Sequence, residues 1–430
     1  MVELAADEMK NFGMVWALVI VSLSYSFIIG KITPKGFVRL VAVLPIISLF
    51  LALPLNLTSI HLCGFTAFLI TWLANFKLLL FAFNEPPLCC DPPISFAHFL
   101  AVACLPISIQ TSPKSKDGTN TEQKPQNKYY PPHKNLQKSP NNQNAYRKTP
   151  NKSYPSPKYL KNPSEKSLWN YIVKAIVVAI FLQIYDHSQQ IPQMILWIIY
   201  FLHIFFVLEI VSALLAKLTK FFLGLHLEPQ FNEPLLSTSL RDFWGRRWNL
   251  MVTSIMRPTV FQPIRGLTLR PLGPVLATHL AVTAAFVVSA VMHELLFFYL
   301  GRVRPTFEVT WFFLLQGVSV CLEITVKDYV GKRWQVPWWV SCPATLGWVV
   351  VTACWLLLPP LLRAGIDFKL LLCAFGKGPF CSETWLSFPY FLALLAYLNS
   401  EHDDPNSENN TIPDRKLPSN PGLQQLFLPI

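Results

Sequence analysis

The chain has 430 residues, of which 52% are hydrophobic and 13% aromatic, while only 14% carry a charge. A soluble globular domain carries about 25% charged residues, so the composition excludes an ordinary water-soluble enzyme and points to a polytopic membrane protein. The net charge of +12 does not signal nucleic-acid binding, because the basic residues cluster between apolar runs, where they face an acidic cytoplasmic leaflet.

Residues 14–30 and 37–54 form the first two predicted spans, joined by a loop carrying Lys31, Lys35 and Arg39. The positive-inside rule puts that loop in the cytoplasm and the N-terminus across the membrane. The acidic start (Glu3, Asp7, Glu8), with no small-residue cleavage site, reads as a retained span and not as a removable signal peptide. Residues 62–83 are the third span, and Lys77 in WLANFKLLLFAF is expected at its cytoplasmic end, snorkelling to the headgroups. Residues 94–109, with His98 and Pro106, are short for a span and read as a re-entrant or interfacial segment that closes an N-terminal helical region, 1–110.

Residues 111–166 switch to Lys, Asn, Pro, Ser, Gln and Tyr. Such a stretch cannot bury enough apolar surface to offset its ordering entropy, so a disordered basic insertion on the cytoplasmic side is expected. Spans follow at 169–185 and 194–215, the second carrying His203 and Glu209. Six positions apart on a helix, these two do not share a face and read as packing or relay groups. After a less apolar stretch, 224–274, come spans at 276–300, 307–323, 338–362 and 383–398, and a polar tail, 399–430, expected to be disordered. The nine cysteines include no CxxC pair, which argues against a zinc site or a disulfide framework. No internal repeat is visible.

Two stretches carry chemistry. In TAAFVVSAVMHELLFFYL (283–300), His293 and Glu294 interrupt hydrocarbon, and an ionisable group at membrane depth costs about 3 kcal/mol even on lenient scales. Neighbours on a helix point about 100° apart, so the two cannot face one cavity. The face around His293 carries Phe286, Ser289, Ala290 and Phe297, and the small pair one turn back leaves room for a ligand. A His–Glu pair that only locks helix packing is the competing reading.

Upstream, SLRDFWGRRWNLMVTSIMRPTVFQPIR (239–265) reads as an interfacial amphipathic helix. Ser239 and Asp242 suit its cap, and Phe243, Trp244, Trp248, Met251 and Val252 form an apolar strip opposed to Arg241, Arg246 and Arg247. Asn249 completes the strip without being explained by it. A buried amide can donate to a substrate carbonyl or hold a catalytic imidazole.

DFWGRRWN (242–249) together with SAVMHELLFFYLGR (289–302) resembles the membrane-bound O-acyltransferases, and specifically their plant wax-synthase branch. WLANFKLLLFAF (72–83) and GRVRPTFEVTWFFLLQG (301–317) are similar to the same branch, and the resemblance covers nearly all of the chain except 111–166 and the tail. It implies an all-α bundle of eight or nine transmembrane helices around a catalytic tunnel. Residues 167–398 would be the acyltransferase core, and the implied location is the endoplasmic reticulum membrane.

The implied reaction moves a fatty acyl group from acyl-CoA, a co-substrate, to a long-chain alcohol, giving a wax ester; sterols and diacylglycerol are the alternative acceptors within the branch. An alcohol is a poor nucleophile and needs a base within about 3 Å of its hydroxyl, a role that suits a neutral imidazole in an apolar site. On the resemblance His293 is that base and Asn249 orients substrate or stabilises the oxyanion, while His279, four turns earlier on roughly the same helix face, is the next candidate by geometry. Glu294, Asp242 and Trp248 would support them, and Arg241, Arg246 and Arg247 would meet the CoA phosphates. Neither a metal nor a bound cofactor is required, and the implied partners are acyl-CoA, the acceptor alcohol and membrane lipid. A transporter lined by His293, Glu294, His203 and Glu209 is the reading of a different class, but the inverted repeats and paired broken helices it predicts are not found. An inactive membrane scaffold is a third, against which Asn249 and His293 both weigh.

Overall fold

A computed structural model of the protein describes residues 2–88, 95–105, 168–223, 229–331 and 336–364, and these are helical apart from short turns. The expected insertion 111–166, span 383–398 and tail 399–430 lie outside the described residues, as does the Cys89–Cys90 pair.

Apolar runs of spanning length become helices because a backbone surrounded by hydrocarbon must satisfy its own hydrogen bonds. Helix α1 (Val2–Ile32) turns into α2 (Phe37–Ala52) through Gly36, which takes φ 109° and donates its N–H to the Ala82 carbonyl at 2.7 Å. Lys31 and Lys35 are exposed at this turn. Arg39 departs from the expected loop exposure. It is buried and donates to the carbonyls of Gly30, Thr33 and Phe81, so it clamps the end of α1 and residue 81 of the third span to the start of α2.

The third span is the innermost. It runs as α3 (Ile60–Ala67), a π-helical turn (Phe68–Ala74) and α4 (Asn75–Ala82). Its span is 83% buried, whereas no other candidate span exceeds 39%, so the remaining helices are arranged around it. Lys77 is a second correction to the expected topology. It does not snorkel but is fully buried, with Nζ donating to the carbonyls of Val102 and Leu105 at 2.6 Å each. Those carbonyls end the short helix α5 (Phe96–Cys104). The last carbonyls of a helix lack partners and carry negative partial charge, and an ammonium group supplies both donors and charge. At nine residues α5 is too short to cross a membrane, in keeping with the re-entrant or interfacial reading.

Helices α6 (Leu168–Tyr185) and α7 (Gln193–Leu223) pack side by side, joined by a Lys174–Glu209 ion pair of 2.7 Å and by a 2.8 Å hydrogen bond between the Tyr185 hydroxyl and His203 Nδ1. His203 and Glu209 therefore take different partners.

The expected interfacial helix over 239–265 is instead broken. It consists of a single turn α8 (Leu240–Asp242), a π turn (Phe243–Arg247), α9 (Leu250–Met256) and another π turn (Arg257–Phe261) that runs into α10 (Gln262–Gly301). The break falls at Asn249, whose φ of 41° no helix accommodates, and Asn is among the few residues that tolerate it. Helix α10 is itself bent at Gly273 (φ 76°), between Pro271 and Pro274, which remove a helix donor and crowd the preceding turn. It packs most extensively on α11 (Glu308–Val330) and also on α3. Helix α12 (Trp338–Thr352), a π turn (Ala353–Leu357) and α13 (Leu358–Arg363) close the described bundle.

Seven helices among the described residues are long and apolar enough to cross a membrane. The expected span at 169–185 forms an apolar helix below that length. The chain is an all-α integral membrane protein.

Candidate active site

Helix α10 carries His293 to a point where three elements meet. Its Nδ1 lies 2.7 Å from the carbonyl oxygen of Ser289, one turn back on the same helix. A carbonyl only accepts, so Nδ1 bears the hydrogen and donates, and in the neutral ring the lone pair is left on Nε2. The ring is flanked by Phe313 of α11, with centroids 4.4 Å apart, and by Trp72 of the π turn in the innermost span, at 4.9 Å and an interplanar angle of 82°. His293 is half-buried, so part of its ring stays accessible. Ala290 and Phe286 pack with Phe312 and Phe313, so Ala290 is covered by rings where the small pair was expected to leave room for a ligand.

Glu294 points another way. Its Oε1 accepts from the backbone N–H of Thr310 at 3.0 Å and from the Thr310 hydroxyl at 2.9 Å, in the first turn of α11. A carboxylate there satisfies an orphan donor and complements the helix dipole, so Glu294 fixes the α10–α11 corner. The ion pair between Glu308 and Arg363 ties the same corner to α13.

The motif around Asn249 comes together by a different route. The Ser239 hydroxyl accepts from the Asp242 N–H at 3.0 Å, the predicted cap. Asp242 accepts from Arg247 Nε at 2.6 Å, and Arg247 also donates to the carbonyls of Asn232 and Glu233. Arg247 is thus committed to folding this loop, and only Arg241 and Arg246 present exposed side chains. Trp248 is stacked on Phe243 and Phe205. Asn249 caps α9, its Oδ1 accepting from the Val252 N–H at 3.3 Å, while no hydrogen bond joins it to His293.

Trp244, not Trp248, links this loop to the histidine. Its ring packs on Phe286, Phe312 and Phe313, and its Nε1 donates to Gln316 Oε1 at 3.2 Å. Gln316, fully buried, passes its own amide N–H to the Thr352 hydroxyl at 2.7 Å. An indole, an amide and a hydroxyl from three elements therefore hold the wall on which His293 rests. Among the described residues no group of His, Cys, Asp and Glu is placed to hold a metal ion.

Residues 227–315, which include both Asn249 and His293, match the model of the membrane bound O-acyl transferase family. Across 364 residues the chain is 42% identical to acyl-CoA–sterol O-acyltransferase 1 of Arabidopsis thaliana, covering 84% of this chain and 94% of the relative. It is 40% identical to the probable long-chain-alcohol O-fatty-acyltransferase 3 of the same plant, over 85% and 93% of the two chains. The chain belongs to the membrane-bound O-acyltransferase family. The long-chain-alcohol O-fatty-acyltransferase of Simmondsia chinensis is 38% identical over 84% of this chain and 92% of its own. The chemistry of this family member is O-acyl transfer.

Trp72, Trp244, Phe313, Gln316 and Thr352 enter the site only through tertiary contacts. A signal existed for two of them. Gln316 is an uncharged amide inside FFLLQGVSV, and polar groups at membrane depth mark functional or packing sites. Trp72 opens WLANFKLLLFAF, which carries Asn75 and Lys77 within an apolar run.

Proposed function

We propose that the protein transfers a fatty acyl group from acyl-CoA to the hydroxyl of a long-chain alcohol, forming a wax ester in the endoplasmic reticulum membrane, with His293 as general base. The observation that carries this reading is the Nδ1–H of His293 donating to the Ser289 carbonyl at 2.7 Å. That bond sets the tautomer and aims the Nε2 lone pair away from the helix, as a base must be oriented before it can act.

In the step this supports, Nε2 takes the proton of the alcohol while its oxygen attacks the thioester carbonyl. The carbonyl electron pair moves onto oxygen, giving a tetrahedral oxyanion. Collapse of that intermediate breaks the C–S bond, and the imidazolium returns its proton to the departing CoA sulfur. Asn249 keeps Oδ1 for its cap, which leaves the amide N–H groups for substrate or oxyanion. Arg241 and Arg246, exposed on the loop that begins at Ser239, are suited to the CoA phosphates.

A second acceptor class has a specific observation behind it. The relative that is 42% identical is named as a sterol acyltransferase, while others at 34–40% are named for long-chain alcohols. Expression in a yeast host lacking its own neutral-lipid acyltransferases, fed hexadecanol or sterol, separates them by product. Wax esters that disappear in His293→Ala support the reading. Steryl esters alone would transfer it to the sterol acceptor, and no ester with either would overturn it.

A further inference from the structure

We propose that the indole N–H of Trp72 is a catalytic hydrogen-bond donor to the carbonyl oxygen of the acyl group in transfer, an inference that rests on His293 being the base. Three observations converge on this residue. Trp72 is 4% exposed, and its Nε1 is buried with no hydrogen-bond partner among the described residues. Its ring stands edge-to-face with that of His293 at 4.9 Å. It lies in a π-helical turn, Phe68–Ala74, inside the most buried span, and such local departures from α geometry recur at functional sites.

A buried donor without a partner is unfavourable, and nearly all such groups in folded proteins are satisfied. Phenylalanine would offer a ring at this position with no donor to desolvate; Trp16 shares the unpartnered N–H, and what sets Trp72 apart is that its ring lies against His293, where a partner can arrive with the substrate. The spacing fits the reaction. The attacking oxygen sits about 3 Å from the base, and an oxyanion donor about 2.7–3.1 Å from the oxygen it stabilises. With centroids 4.9 Å apart and edge-to-face, the two rings touch, so base and donor stand side by side and the reacting carbonyl is placed beside the pair, within reach of both. As the alcohol oxygen bonds to the carbonyl carbon and its proton passes to His293 Nε2, the displaced electron pair gathers on the carbonyl oxygen, where the Trp72 N–H meets it. When the C–S bond breaks, the pair returns to the carbonyl and the imidazolium proton goes to the CoA thiolate. Trp72 exchanges no proton. The match to the family model, residues 227–315, does not include this position, so the site draws a reacting group from the N-terminal half of the chain.

The test uses the full-length protein in membranes, with palmitoyl-CoA and hexadecanol, at protein levels matched by immunoblot. Trp72→Phe removes the donor, and Trp72 replaced by β-(3-benzothienyl)alanine swaps the N–H for sulfur with the ring shape kept, which guards against misfolding. Trp16→Phe is the control, since Trp16 Nε1 is also buried without a partner but its ring pairs with Phe12 and not with His293. Both Trp72 variants should lose kcat by about 10²–10³-fold, with KM for palmitoyl-CoA within about 3-fold and an unshifted pH profile, while Trp16→Phe matches wild type. Wild-type kcat in the benzothienyl variant, with His293→Ala inert, would overturn the donor and leave Trp72 as packing or as an N–H···π contact. A rise in KM alone would overturn it too. Turnover surviving in His293→Ala would instead defeat the base assignment on which the inference stands.

Discussion

His203 on α7 and His293 on α10 are two imidazoles held inside apolar helices, and they are held in opposite ways. His203 is fully buried, lying nearly flat on Tyr185 (13°, 5.6 Å) and Phe181 (26°, 6.4 Å), with its Nδ1 on the Tyr185 hydroxyl. A hydroxyl both donates and accepts, so it satisfies either tautomer and commits the ring to neither. His293 keeps accessible surface, meets Trp72 edge-on, and gives Nδ1 to a carbonyl that tolerates only one tautomer. Burial alone therefore does not orient a ring nitrogen. The difference lies in which atoms the surroundings occupy and which they leave open.

The widest separation between the two sites should appear in turnover. His293→Ala is expected to lower kcat by about 10²–10⁴-fold, measured as wax ester formed per immunoblotted protein, whereas His203→Ala should leave kcat within about 2-fold. Equal losses in the two would erase the distinction.

Asn249 tests whether the His293 side needs an amide donor or only a helix cap. Asp caps a helix about as well as Asn and also tolerates positive φ, so Asn249→Asp should accumulate normally yet lose about 10²–10³-fold in kcat. Normal turnover in that variant would reduce Asn249 to its bond with Val252.

Gln316→Leu strands the half-buried Trp244 Nε1, while the Thr352 hydroxyl keeps its bond to the Trp348 carbonyl. An unsatisfied group costs about 1–3 kcal/mol, so the melting temperature in detergent should fall together with kcat, because Trp244 supports the Phe313 ring against His293. A fall in stability with unchanged kcat would show that the wall does not position the base.

The smallest effect is expected at Tyr185→Phe. It removes the hydroxyl on His203, destabilising by about 1–3 kcal/mol at most, and should leave the reaction alone. A kcat change there would give α6 and α7 a part in catalysis.

The membrane class, the positions of most spans and the helix that bears His293 are legible from residues alone. An apolar run long enough to cross hydrocarbon is a local property, and an ionisable group inside it is conspicuous without knowing its neighbours. So are the Ser239 cap and the divergence of His293 from Glu294, which follow from helical geometry. Residue order did not reveal the partners. Lys77 looked like a snorkelling cation and is a buried cap for α5, Arg39 looked like a topology signal and is a clamp, and Arg247 looked like a phosphate ligand and is held by Asp242. Apolar periodicity runs through Asn249 without a break, because it cannot register one residue turning to positive φ. Trp72 reaches His293 only because the innermost span packs against α10. Which acceptor satisfies a desolvated donor depends on segments far apart in sequence, and no local pattern encodes that choice.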